Sequence, residues 1–207
     1  MQFTNRVDAG ERLARELEQF GAADAVVLGI PRGGVPVAAV VAEKLNLPLD
    51  VVVVRKLGLP FDPEVAMGAI GEGGARVLDE HLASRAGVSA EGVAGVEERE
   101  RRTLDERVDR LRRGGASSDL DGRTAIVVDD GLATGATMQA ACLAARARGA
   151  ARVVAAVPVA AADAMRRITA ADEVVAVLQP RDFWAVGAHY IDFRQTSDEE
   201  VERLLAT

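Results

Sequence analysis

Two adjacent acids at the end of an apolar run carry the strongest chemical signal: Ile126-Val127-Val128-Asp129-Asp130, followed by Gly131-Leu132-Ala133-Thr134-Gly135-Ala136-Thr137-Met138. Small residues let the backbone approach a ligand closely. Successive N–H groups where such a loop opens a helix, together with the Thr134 and Thr137 hydroxyls, suit a phosphate dianion. At the mouth of that pocket two carboxylates can accept hydrogen bonds from vicinal hydroxyls or attract a cation. A phosphate pocket beside a diol acceptor describes a ribose 5-phosphate. The plainer alternative is that Asp129 and Asp130 cap the following helix and Thr134-Gly135 is a tight turn, and the length of the compatible run argues against it.

Other segments could handle anions or bases. Gly29-Ile30-Pro31-Arg32-Gly33-Gly34-Val35 offers a cation and exposed amides at a strand end, or an ordinary strand-to-helix turn with a surface arginine. Arg55 and Lys56 follow a second apolar run, and with Arg32 they would gather positive charge at one sheet edge. Trp184, the single tryptophan, is either a stacking platform or a core anchor. His81 and His189 could titrate near neutral pH, although a lone histidine is more often structural, and His189 is the better general-base candidate of the two. Cys142 lies among Ala and Leu, so packing is its expected role, and no His/Cys cluster has metal-site spacing. Other phosphate loops fit worse. There is no Gly-x-x-x-x-Gly-Lys-[Ser/Thr] run, and Gly68-Ala69-Ile70-Gly71-Glu72-Gly73 lacks the strand and distal acid of a dinucleotide site.

The elements that must position these groups follow from periodicity. Apolar, β-branched runs at Ala25–Ile30, Val51–Val54, Ala125–Val128, Val153–Val157 and Val174–Leu178 are too short for helices and do not alternate, which predicts strands buried on both faces. Helical patterns fall at Val35–Leu45, Thr137–Arg148 and Ala161–Thr169. Asp8–Phe20 is a further amphipathic helix, with Asp8 and Glu11 at capping spacing and Gly21 placed to end it. This alternation predicts an α/β fold: a doubly wound parallel sheet binding its ligand at the carboxyl ends of the strands.

Residues 57–123 break the rhythm. Leu57–Gly74 combines glycines, Pro60 and Pro63 with the polar Asp62, Glu64 and Glu72, and is the expected mobile segment. The charged stretch Glu97–Arg113 has a thin apolar stripe formed with Val93, Val96, Leu104, Val108 and Leu111. It reads as a solvated helix packed on the domain edge, with a lid or a dimer contact as the functional alternative. Gly114–Ser118 reads as a plain loop.

Composition bounds the partners. At 207 residues one compact domain is expected, with a lid or insertion near 57–123 and a small hood near 179–207. A net charge of −7 argues against general nucleic-acid or acidic-membrane surfaces, and no apolar run approaches a membrane span. The opening residues lack a signal-peptide pattern, and a single cysteine excludes an internal disulfide, so a cytoplasmic location is the expectation.

The run from Ile126 to Met138 resembles the diphosphoribosyl-diphosphate signature of the type I phosphoribosyltransferases: apolar residues, two acids, then a Thr-Gly-x-Thr turn. The resemblance implies a Mg2+-dependent transferase of nucleotide metabolism that moves 5-phosphoribosyl from 5-phosphoribosyl diphosphate (PRPP) to a nucleobase or related acceptor, and that works as a homo-oligomer. It implies a Rossmann-like fold with a hood. Asp129 and Asp130 would be catalytic and hold the ribose hydroxyls, while Ala133, Thr134, Gly135, Ala136 and Thr137 hold the 5-phosphate. Arg32, Gly33, Arg55 and Lys56 would bind the leaving diphosphate. Asp182–Phe193 is similar to the hood of the 6-oxopurine branch, so that Trp184 and Val186 would meet the acceptor and Asp192, through water, the metal, which Asp129 would also serve. Ala133 stands where the 6-oxopurine enzymes carry an aspartate, as in adenine-type enzymes, and Gln179 stands near their lysine, so the branch signals conflict. A ligand-sensing module that kept the pocket and lost transfer is the alternative function.

Overall fold

A computed structural model describes residues 2–112 and 117–206. The central sheet is formed by β2 (Leu49–Val51), β1 (Ala25–Gly29), β6 (Thr124–Val128), β7 (Arg152–Val159) and β8 (Glu173–Leu178), adjacent in that order and parallel throughout. The uniformly apolar strands are two-faced, as their sequence predicts. In β1, Val26 and Leu28 enter the core beneath α5 (Ala136–Ala147). Ala25 and Val27 enter the core shared with α1 (Arg6–Glu16) and α2 (Gly34–Leu45).

The chain leaves β1 toward β2 on one side and returns with β6 on the other, so the reversal of strand order falls between β1 and β6. Crevices at such a reversal, beyond the carboxyl ends of the strands, are where open α/β sheets bind ligands. The loops after Gly29 and Val128 meet at that point.

Three boundaries differ from those the sequence suggested. The first helix begins at Arg6 because Asn5, not Asp8, caps it. The Asn5 side chain accepts from the backbone N–H groups of Val7 at 3.0 Å and Asp8 at 3.1 Å, and Asp8 reaches back to the Thr4 N–H at 2.8 Å. The helix ends at Glu16, and a short 3-10 turn at Glu18–Phe20 precedes Gly21. The helical pattern at Ala161–Thr169 condenses to α6 (Ala162–Met165).

The larger correction concerns Val51–Val54. That apolar run is no single strand, because β2 ends at Val51 and β3 (Val54–Leu59) starts a second, antiparallel sheet with β4 (Asp62–Gly71) and β5 (Arg76–Leu78). Leu57–Gly74 is therefore mostly paired strand. A Cβ on Gly58 would overlap Pro63, and one on Gly68 would overlap the Val77 carbonyl, so these glycines serve close strand approach.

Beyond the arm come α3 (Glu80–Arg85) and the long α4 (Ala90–Arg112). Val93, Val96, Leu104 and Leu111 of α4 are buried, as the thin stripe predicts. They share a core with Val35 at the start of α2, with Val53 and Leu57, and with Val201 of α7 (Asp198–Leu205). The loop expected at Gly114–Ser118 lies outside the described residues except for its last two positions. Among the described residues no helix is long and apolar enough to cross a membrane.

Candidate active site

Strand β6 delivers Asp129 and Asp130 to the crevice. The Asp129 N–H donates to the Ala156 carbonyl at 3.3 Å, and the Asp130 N–H donates to the Asp129 carboxylate at 2.9 Å. The Gly29–Gly34 loop lies directly against them. A Cβ on Gly33 would overlap the Asp130 carboxylate, and one on Gly34 would stand 2.6 Å from the Val128 carbonyl oxygen and 2.9 Å from Asp129 Cα. Gly34 is thus required by the approach of two backbones and Gly33 by the Asp130 carboxylate seated against it, and the Pro31–Arg32 peptide between the strand and the glycines is cis.

Burial and the neighbouring Asp130 carboxylate push the Asp129 carboxyl well above the usual carboxylate range. Burial raises Asp130 as well, against the opposing pull of Arg6. Arg6 is a participant the sequence reading missed. Its Nε and terminal nitrogen both donate to Asp130 Oδ2, at 3.0 and 2.7 Å. Its other terminal nitrogen donates to the Arg194 carbonyl at 2.8 Å, and its guanidinium stacks 4.2 Å from the Phe193 ring centre. The available signal was the Asn5 cap, which puts Arg6 in the first helical turn and aims it at the sheet edge.

After Gly131 the chain turns through Ala133 and Thr134, both exposed, into Gly135. Gly135 has φ +93°, a conformation that penalises any side chain, and starts α5 without a side-chain cap. The first-turn N–H groups of Ala136 and Thr137 therefore remain available to an anion. A cavity of about 170 Å³ opens beside this turn, lined by Thr134, Gly135, Ala136 and Arg167 on one side and by Ala66 and Gly68 of β4 on the other. Arg167, also missed from sequence, supplies positive charge to this cavity. Its position depends on the α6 turn packing behind Gly135, which no local pattern announces.

The basic residues do not all converge. On β3 successive side chains leave opposite faces. Arg55 turns to α4, where it meets Glu100 at 2.7 Å, while Lys56 reaches across the hairpin to Glu64 at 3.7 Å. Arg32 sits at the head of α2 and is half-buried.

The hood is pinned by the N-terminal segment: the Phe3 N–H donates to the His189 carbonyl and the Ile191 N–H to the Phe3 carbonyl, each at 2.8 Å. Tyr190 donates its hydroxyl to the Asp130 carbonyl oxygen at 2.6 Å, and burial raises that hydroxyl's pKa strongly. Val186 packs where a Cβ on Gly131 would be, so the hood rests on the loop after Asp130. Trp184 is 86% exposed, which removes the core-anchor alternative. His189 stacks on Phe183. Asp192 donates its N–H to the Thr4 carbonyl at 2.9 Å and accepts from the Arg194 N–H at 3.2 Å. Among the described residues no three His, Cys, Asp or Glu side chains gather around a metal-sized point, so Asp192 does not cluster with the Asp129–Asp130 pair. His81 is exposed on α3, and Cys142 is buried in α5 with its thiol pushed up to about 12 by burial.

The phosphoribosyl transferase domain model matches residues 2–193. A provisionally named phosphoribosyl transferase of Mycobacterium tuberculosis is 51% identical over 204 residues, which is 98% of this chain and 46% of that protein. The chain therefore spans about half the length of the curated relatives it matches. The crystal structure of the protein TT1426 from Thermus thermophilus superposes with a TM-score of 0.84 at 46% identity, covering 100% of this chain and 98% of that one. A hypothetical protein from Neisseria gonorrhoeae, whose crystal structure holds bound ppGpp, shares the fold at a TM-score of 0.52 and 15% identity, over 99% and 97% of the two chains.

Proposed function

The chain belongs to the phosphoribosyl transferase family, and on that premise we propose that it moves a 5-phosphoribosyl group from PRPP to a nucleobase or related acceptor, with release of diphosphate. The observation that carries this reading is the meeting of three features at one strand reversal: two carboxylates, the glycine loop pressed against them, and an uncapped helix start lined by Thr134 and Arg167.

In this reading Asp129 and Asp130 accept the ribose hydroxyls, and the Ala133–Thr137 turn holds the 5-phosphate with its N–H groups. The Arg32–Gly34 loop receives the diphosphate. The hood, with Trp184 exposed and Val186 over Gly131, offers the acceptor a surface. A nitrogen of the acceptor forms the bond to ribose C1 as the C1–O bond breaks, the electron pair leaves with the diphosphate, and the acceptor nitrogen's proton is released to solvent. Cationic character develops at C1, so fixed charge and exclusion of water are what the protein can supply.

The two raised carboxylates suit a hard divalent cation, which takes oxygen ligands from one or two carboxylates and completes its shell with substrate oxygens. Magnesium bound there would neutralise the diphosphate and stabilise its departure. The antiparallel arm walls the phosphate turn, and in this reading its tip at Pro60–Val65 closes over the site.

The test is to incubate the protein with PRPP, magnesium chloride and a panel of nucleobases and to follow diphosphate release. Release with at least one base, lost in Asp130→Asn together with sugar-diphosphate binding, is the expected outcome. Saturable PRPP binding without release on any acceptor would assign the chain to ligand sensing instead.

A further inference from the structure

We propose that Arg107, on helix α4, is a diphosphate-binding residue that joins Arg32 and Arg55 in one anion subsite. The inference rests on the transfer reading above and adds to it a residue from the segment between the sheet strands β2 and β6, outside the phosphate loops.

Three packing relations bring together the elements that carry these arginines. Helix α4 lies along β3, and Glu100 of α4 pairs with Arg55 at 2.7 Å. Arg107 is seven residues beyond Glu100, which returns it to the same helix face about two turns on. Helix α7 packs on α2, whose head carries Arg32, and Asp198 at the start of α7 pairs with Arg107 at 3.2 Å. The apolar core beneath closes the triangle, because Val35 of α2, Leu104 and Leu111 of α4 and Val201 of α7 belong to one cluster.

The cluster carries more positive charge than it neutralises. Asp198 is shared between Arg107 and Arg110, the latter at 2.5 Å, and Glu202 also meets Arg110 at 3.8 Å. Glu100 serves Arg55, and Arg32 has no carboxylate partner among the described residues. Arg107 Nε is buried and makes no hydrogen bond there. Burial lowers the Arg107 pKa, Asp198 opposes that shift, and Arg32, Arg110 and Arg55 reinforce it, as expected of like charges crowded together. In a protein of net charge −7, a crowded and partly unpaired arginine group needs a compensating anion. A diphosphate offers several acceptor oxygens to guanidiniums that present planar, paired donors.

Calorimetric titration of the full chain with inorganic diphosphate and, separately, with ribose 5-phosphate in magnesium-containing buffer tests this. Arg107→Gln should weaken diphosphate binding by roughly tenfold or more and leave ribose 5-phosphate unchanged. Asp198→Asn, which frees Arg107 from its carboxylate, should bind diphosphate at least as tightly as the parent. A merely structural Arg107–Asp198 tie would instead move both variants in the same direction. Parental diphosphate affinity in Arg107→Gln, or weakened affinity in Asp198→Asn, overturns the inference and leaves the transfer reading standing, while a parent that binds neither ligand overturns both. If Arg107→Gln fails to fold, the sign of the Asp198→Asn effect still decides.

Discussion

Burial raises the proton affinities of both Asp129 and Asp130, the Asp130 carboxylate raises Asp129 further, and Arg6 opposes the shift of each. Because the Asp129 carboxyl is raised in the folded chain, the native state holds that proton more tightly than the unfolded one does. Its contribution to stability is complete below the unfolded value of about 3.9 and is lost as pH rises through the folded value. Asp129→Asn should therefore raise the melting temperature at pH 7–8 (about neutral and slightly above), by an amount that shrinks as pH falls toward the unfolded value. A melting series across pH checks the sign, and a variant that gains nothing at neutral pH would show that Asp129 carries no such cost. Tyr190→Phe removes the 2.6 Å bond to the Asp130 carbonyl and should cost about 1 kcal/mol, read from urea unfolding.

At the level of elements, the site depends on how closely β1 and β6 hand their loops to one another. Gly34→Ala would thrust a methyl group into the Val128 carbonyl and Asp129 Cα, both backbone, so neither can yield by a rotamer change. The variant should lose about 1–3 kcal/mol and, with it, affinity for the sugar diphosphate. Gly74, where a Cβ would meet nothing within 4 Å although φ is +80°, serves as the comparison, since Gly74→Ala should affect stability through backbone conformation while leaving ligand affinity unchanged. Equal loss of affinity in the two variants would argue against a site built on the β1–β6 approach. The antiparallel arm was legible only as an interruption. Its sequence signals, glycines and prolines, are those of a loop, and pairing among β3, β4 and β5 is a long-range outcome that local propensity does not encode.

For the whole molecule, the arm and α4 share a core with α2 and α7, so the insertion and the central sheet are expected to unfold together. Leu104→Ala should destabilise the chain by about 2–5 kcal/mol. Urea transitions followed by the absorbance of the buried Tyr190 in the hood and by helical circular dichroism should coincide. Two separated transitions would mean that the insertion is an independent unit. Hydrogen exchange should slow at the Pro60–Val65 tip when PRPP is added if the arm closes over the site, and unchanged exchange there would leave the arm a fixed wall.

The sequence by itself determined the parallel sheet, the helices on its two faces, and the acidic strand end that runs into a glycine-rich helix start. Buried strands and glycine-rich strand ends are written in local composition, where burial and φ/ψ limits act on neighbouring residues. The thin stripe of α4 was legible for the same reason. Only the tertiary structure decided that Arg55 and Lys56 part company, that Trp184 is exposed, that Arg6 meets Asp130, that Arg167 lines the cavity beside Gly135, and that Arg107 pairs with Asp198. Each of those residues is a long side chain placed by an element far away in the chain. Where the partner is a carboxylate on another element, as Asp130 is for Arg6, Glu100 for Arg55 and Asp198 for Arg107, it is fixed by how the layers pack and not by any spacing along the sequence.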